Sequence, residues 1–272
     1  MQETDSPPSI SDPTLHQLAH PENGDSSPLR TLCADLHAKI EAFLQEDVKT
    51  EILKSVQSQC RHSLSIISEA LEKYPLTSLS LSYNGGKDCL LLLLLYLSLL
   101  STHPHLPPSL PAILIPPAHP FPTVDAFIQK TSSHYHLSLS RYTAPSPSGM
   151  KAAFASYLAH NPSIQAIFVG TRRTDPHGGE LKPFEMTDRG WPSFMRVHPV
   201  LEWRYSEVWA FLRWMGVEYC ELYERGFTSL GGTNDTVPNP RLSLEGAEGR
   251  YWPAWMLEDE GEERAGRIGG GG

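Results

Sequence analysis

Four short runs of this 272-residue chain carry residue types that could do chemistry on phosphate. The first is Ser82-Tyr83-Asn84-Gly85-Gly86-Lys87-Asp88. Adjacent glycines let backbone N–H groups come close to an anion, and a helix starting just after them adds positive potential. Lys87 would add a mobile cation, and Asp88 stands where a helix N-cap or a metal-coordinating carboxylate belongs. The second run is Gly170-Thr171-Arg172-Arg173-Thr174-Asp175-Pro176, whose paired arginines suit bidentate neutralisation of phosphate. Asp175, ahead of Pro176, is either a functional carboxylate or an ordinary turn residue. The third, Trp191-Pro192-Ser193-Phe194-Met195, offers a stacking surface for a flat ring, or simply packs. In the fourth, Arg264 and Arg267 flank Ala265-Gly266 near the end of the chain; taken alone it is a solvated tail.

These runs need strands and helices to hold them. Leu79 and Leu81 alternate with serines, the period of a short strand, and the segment from Cys89 to Leu100 is leucine-rich on every side. That run is only about a dozen residues, against the roughly 20 a bilayer needs, so it predicts a buried central helix. Leu29 to Lys73 reads as helix, with Ile52, Val56, Leu64, Ile67 and Leu71 near a 3.6-residue period. Downstream, Ala112–Ile115 predicts a strand, Pro122–Tyr135 a helix, Leu137–Tyr142 a strand and Gly149–His160 a helix. Ile164–Gly170 then predicts a fourth strand, Val197–Trp203 a fifth, and Tyr205–Met215 a helix. Such alternation indicates an α/β, doubly wound, mostly parallel sheet with amino-terminal helices. Ligands on such sheets bind beyond the carboxyl ends of the strands, where Asn84 to Gly86, Pro116 and Thr171 to Asp175 converge.

Composition narrows the class. The Ser-, Pro- and Asp-rich residues 1–28 predict a disordered tail, 29–257 a single α/β domain, and 258–272 a flexible carboxyl-terminal tail. With 40% hydrophobic residues and a formal net charge of −9, a globular core is expected and a general nucleic-acid surface is not. Cys33, Cys60, Cys89 and Cys220 are widely spaced, fitting neither a disulfide framework nor a zinc cage. The first residues form neither a signal nor a transit peptide, so the expected location is cytoplasmic, with no membrane association. The pairs His103/His105 and His134/His136 have no acidic or cysteine partner nearby, and we do not assign them to zinc.

Neither the Walker spacing nor the dinucleotide fingerprint occurs. Asn84-Gly85-Gly86-Lys87-Asp88-Cys89 resembles instead the Ser-Gly-Gly-x-Asp-Ser pyrophosphate loop of adenylyl-transferring enzymes, with Asn84 and Cys89 in place of its serines. In this form it looks like the eukaryotic FAD synthase branch of the phosphoadenosine-phosphosulfate reductase-like family, whose fold is of the adenine nucleotide alpha hydrolase type. Gly170 to Pro176, Trp191 to Arg196 and Glu263-Arg264-Ala265-Gly266-Arg267 resemble the same branch, so the likeness covers Ser80 to Arg267.

The resemblance implies transfer of AMP from ATP to FMN, giving FAD and pyrophosphate, with Mg²⁺ on Asp88. Asn84, Asp88, Asp175, Arg264 and Arg267 would be catalytic. Nucleotide binding would fall to Ser82, Asn84, Gly85, Gly86, Lys87, Ile115, Arg172, Thr174, Asp175, Trp191, Pro192, Ser193, Phe194, Met195, Val200, Arg264 and Arg267. The partners would be ATP and FMN alone, with the protein a monomer. Reductases of the wider family use a cysteine near their carboxyl end; here none follows Cys220, so sulfonucleotide reduction is disfavoured. Two alternatives stay open: another adenylyl-transferring enzyme, acting on tRNA or an amide-forming substrate, and a flavin nucleotide-binding protein without turnover.

Overall fold

The serine–leucine alternation forms strand β1 (Leu79–Ser82), and the leucine run forms helix α3 (Lys87–Leu99). The structure, a computed structural model, describes residues 27–143, 147–188, 190–244, 246 and 249–268, so nearly all of the expected 1–28 tail lies outside the described residues. Leu79 and Leu81 face the larger of two apolar cores. Ser80 faces the other way and is still only 1% exposed, its hydroxyl 2.6 Å from Tyr157 Oη. Leu90 to Leu95 are each 0% exposed. At about 1.5–3 kcal/mol per fully buried leucine, α3 is a principal apolar anchor of the fold.

Strands β2 (Leu110–Leu114), β3 (Leu137–Arg141), β4 (Ala166–Phe168), β5 (Phe184–Met186) and β6 (Met195–Val197) complete one sheet in the order β3-β2-β1-β4-β6-β5. All neighbours run parallel except β5, which lies antiparallel on β6. This is the doubly wound, mostly parallel architecture expected. Helices α1 (Pro28–Gln45), α2 (Glu51–Lys73), α3 and α6 (Tyr205–Met215) pack together against one face. Helix α4 (Pro122–His134) adds Phe127 and Ile128 to that core, while α5 (Pro147–His160) covers the other face with Phe154 and Tyr157. Because β1 is flanked by β2 on one side and β4 on the other, the chain reverses direction across the sheet there. The carboxyl ends of β1 and β4 therefore open a crevice at a switch point.

Three expectations need correction. The stretch 29–73 is two helices: Glu46 leaves the helical region with ψ 134°, and Val48 turns into the core. Gln57 Nε2 donates to the carbonyls of Phe43 and Glu46, satisfying groups that the end of α1 leaves open. The strand expected over Val197–Trp203 lies instead at Met195–Val197, overlapping that range at one residue, because Pro199 has no N–H for a ladder and the chain turns from His198 to Leu201. The antiparallel β5 was not anticipated at all. Residues 258–268, expected as flexible, are docked: Val237 N–H donates to Gly266 O at 2.9 Å, and Ile268 N–H to Asp235 O at 2.8 Å.

Candidate active site

The loop from β1 to α3 is shaped by Gly85, which has φ +71°; a Cβ there would also lie 2.7 Å from Ile128 Cγ1. Gly86 is the N-cap of α3, so Asp88 lies in the first turn and not at the cap position considered from sequence. Gly86 N–H donates to Asn84 Oδ1 and Lys87 N–H to Tyr223 Oη, each at 2.9 Å. Gly170, just beyond β4, admits the start of α3 so closely that a Cβ would meet Cys89 N and Sγ at 3.0 Å. Two loops from adjacent strands are thereby pressed together.

Lys87 is not a mobile cation. Its side chain is 3% exposed, its ammonium donates to Glu263 Oε1 at 2.5 Å and Asp88 Oδ2 at 3.1 Å, and the Tyr205 ring lies 5.2 Å away. Burial would lower its pKa, but Asp88 and Glu263 outweigh that and raise it. Arg172, 0% exposed, sets Nε 2.8 Å from Asp88 Oδ1 and pairs Nη2 with Glu263 Oε2. The Asp88 contact is a close ion pair without hydrogen-bond alignment, and Nη1 has no hydrogen-bond partner among the described residues. Asp175 Oδ2 accepts the Arg172 backbone N–H at 2.8 Å. Burial, and then the charge of Asp88, holds the Asp175 carboxyl above its usual range.

These groups border a cavity of about 410 Å³ whose walls include Gly86, Asp88, Asp175, Tyr223, Glu263 and Arg264. A second cavity, of about 330 Å³, is walled by Phe154, Trp191, Phe194, Arg196 and His198. The two share Ser82, Asn84, Ile115, Val169, Thr171 and Pro176. In the second, Phe154 and Phe194 stack at 5.2 Å between ring centroids, and Lys151 lies over Trp191 at 5.7 Å. His198 Nδ1 is 2.9 Å from the Lys182 carbonyl, which can only accept, so Nδ1 carries the proton and Nε2 is an acceptor. Burial lowers the pKa of that imidazole and keeps it neutral.

Of the residues singled out from sequence, Ser82, Asn84, Gly86, Lys87, Asp88, Ile115, Asp175, Trp191, Phe194 and Arg264 border these cavities. Gly85, Arg172, Thr174, Pro192, Ser193, Met195, Val200 and Arg267 do not. Arg172 lies beneath the charged wall, Val200 is sealed in the large core, and Thr174 and Ser193 are exposed. Arg267 is tied to Thr236 Oγ1 at 3.0 Å and sits behind Gly231, where a Cβ would be 1.7 Å from its Nη1. Glu263, Tyr223, Phe154, Arg196 and His198 were missed. Glu263 was legible as the neighbour of Arg264, and Arg196 with His198 as alternate positions in and just after β6; Tyr223 and Phe154 gave no local signal.

Comparison with known proteins bears on what such a crevice does. Residues 78–238 match the phosphoadenosine phosphosulfate reductase domain. A probable FAD synthase of Schizosaccharomyces pombe is 40% identical, over 85% of this chain and 87% of its own length. A probable FAD synthase of Caenorhabditis elegans is 37% identical over 86% of this chain, which spans only 44% of that longer protein. The structure of Candida glabrata FMN adenylyltransferase in complex with FAD and inorganic pyrophosphate is similar with a TM-score of 0.81 and 33% identity, covering 88% of this chain and 97% of that one. With FMN and an ATP analogue, that protein gives a TM-score of 0.78 at 33% identity, over 88% and 96% of the two chains.

Proposed function

The chain belongs to the FAD synthase family, within the phosphoadenosine phosphosulfate reductase domain group, and we propose on that footing that it transfers AMP from ATP to FMN. An oxygen of the FMN phosphate bonds to the α-phosphorus of ATP, the bond to the β-phosphate oxygen breaks, and FAD and pyrophosphate result. The observation that carries this reading is the pair of joined cavities, one aromatic and one charged, meeting at Ser82, Asn84 and Thr171. The aromatic cavity suits the flavin ring and the charged one the triphosphate, which brings the FMN phosphate to the junction. Because that phosphate is already ionised, no general base is required, and catalysis rests on positioning and charge.

Lys87 and Arg172 pair with Asp88 and Glu263, and Arg264 and Asp175 add one charge of each sign to the cavity, three cations and three carboxylates in all. So balanced a cluster leaves the triphosphate's own charge unmet. The residues fit Mg²⁺: Asp88 and Asp175 face one cavity, and part of the upward shift at Asp175 is repulsion from Asp88, which a divalent cation relieves. Mg²⁺ favours one or two carboxylates plus phosphate oxygens and, bound there, supplies charge neutralisation along the phosphates. Lys87 acts inward, holding Asp88 and Glu263, while Arg264 serves the phosphates and the positive start of α3 the leaving group. Trp191 and Phe194 take the ring.

Sulfonucleotide reduction lacks its nucleophile. All four cysteines are buried, and Cys89, on the cavity wall, has its thiol pushed up to about 12 by burial and by Asp88. Free, buried thiols suit a cytosolic setting, and a single chain supplies every group invoked, consistent with a monomer. Among the described residues no helix is long and apolar enough to cross a membrane.

Incubation with FMN, ATP and Mg²⁺ tests the reading. Flavin fluorescence should fall as FAD forms, with one pyrophosphate released per FAD. Flavin binding without FAD would make the protein a flavin-binding one; adenylation of another acceptor would make it a relative of different specificity.

A further inference from the structure

Arg264 reaches the charged cavity, yet among the described residues its side chain makes no hydrogen bond or ion pair. Something else must aim it. The residue just before it in the chain, Glu263, is buried and doubly bound, with Oε1 2.5 Å from Lys87 Nζ and Oε2 paired with Arg172 Nη2. Lys87 is the first residue of α3, and Arg172 belongs to the loop after β4. One carboxylate therefore ties the carboxyl-terminal segment to both loops that form the cavity. Its backbone is held as well. The Thr228 hydroxyl donates to Glu263 O at 2.6 Å, and the fully buried Asn239 donates from Nδ2 to Glu262 O at 2.8 Å.

The geometry points to Glu263 as a positioning residue that pins the carboxyl-terminal segment to Lys87 and Arg172 and so presents the Arg264 guanidinium to the transferring phosphoryl group. This rests on the adenylyl-transfer reading above. Removing the carboxylate charge leaves Lys87 and Arg172 sharing Asp88 alone, two buried cations on one carboxylate, and frees the segment to shift. A misplacement of about 1 Å can cost on the order of a hundredfold in rate. Arg267 does not share this dependence, since Thr236 and Asp235 hold it directly.

A double-mutant cycle on the full chain separates positioning from plain structural support. Glu263→Gln should lower kcat about a hundredfold while leaving KM for FMN within about twofold, because the aromatic cavity is untouched. In an Arg264→Ala background, the same change should cost nothing further. The proposal is overturned if the two losses multiply, if KM for FMN rises in step with the fall in kcat, or if Glu263→Gln keeps kcat within about threefold of the parent. Should Glu263→Gln fail to fold by circular dichroism, Glu263→Asp, which keeps the charge with a shorter reach, runs the same cycle. Failure of both to fold would make the residue purely structural and sink the claim. A parent protein that makes no FAD would instead refute the functional reading, so the two failures are distinguishable.

Discussion

The two joined cavities are built by opposite means. The aromatic one is closed by ring packing among Phe154, Trp191 and Phe194, with Arg196 and His198 as polar groups in its wall. The charged one is closed by ion pairs that cross from loop to loop and out to the carboxyl-terminal segment. Packing tolerates an absent ligand, since an apolar wall leaves no charge unpaired. A charged wall has to neutralise itself when empty, which is why Lys87 and Arg172 turn inward to carboxylates and leave Arg264 and the helix start to meet a nucleotide. Affinity for the ring and rate at the phosphate should therefore separate by cavity, and mutations on the two sides should move different constants.

The largest effect is expected at Asp175. Asp175→Asn should reduce kcat by about 10²–10³-fold, in the range found for loss of one electrostatic group at a reacting centre, with KM for FMN nearly unchanged. A parallel rise in KM for FMN would erase the division between the cavities. Gly85→Ala comes next. It forces a side chain onto a residue at φ +71° and against Ile128, and should cost about 1–3 kcal/mol of stability, read as a lower midpoint in urea. On the aromatic side, Trp191→Ala should raise KM for FMN on the order of tenfold through lost ring contact, with kcat within about threefold. A fall in kcat as large as that of Asp175→Asn would show the flavin site to be part of the catalytic machinery.

The same contrast explains what could be seen in advance. The parallel, doubly wound class and the strand ends that meet at the crevice followed from strand–helix alternation, and the loop at Asn84 to Asp88 followed from glycines beside a leucine helix, because both signals are local. Ser80 misleads: a serine between leucines suggests a half-exposed strand, yet it is buried against Tyr157 from α5. Lys87 misleads in the same way, since nothing nearby in the chain announces Glu263, 176 residues away, as its partner. Val200 and Met195 lie close in sequence to cavity residues but pack on the large core instead: Met195 because side chains alternate along β6, with Phe194 and Arg196 on the cavity side, and Val200 because β6 stops at Val197 and the chain turns. Local pattern locates loops; long-range pairing decides which side chains on them remain free.

The smallest effect tests the comparison through acid. The buried His198 has its pKa lowered below the usual 6.5 by burial, so between that lowered value and 6.5 the unfolded chain binds more protons than the folded one. Stability contributed by the neutral imidazole is therefore present above about 6.5 and is lost as pH falls through that window. Asp175 has the opposite sign. Its carboxyl is raised above 3.8, so the folded protein binds the extra proton and acidification relieves the charged cavity. Replacing the imidazole, as in His198→Asn, should flatten the decline in urea midpoint between about pH 7 and pH 5 and leave kcat at pH 7.5 within about twofold. Asp175→Asn should leave that decline in place. If His198→Asn keeps the full acid sensitivity while Asp175→Asn removes it, proton uptake belongs to the charged cavity, and the electrostatic division drawn between the two is reversed.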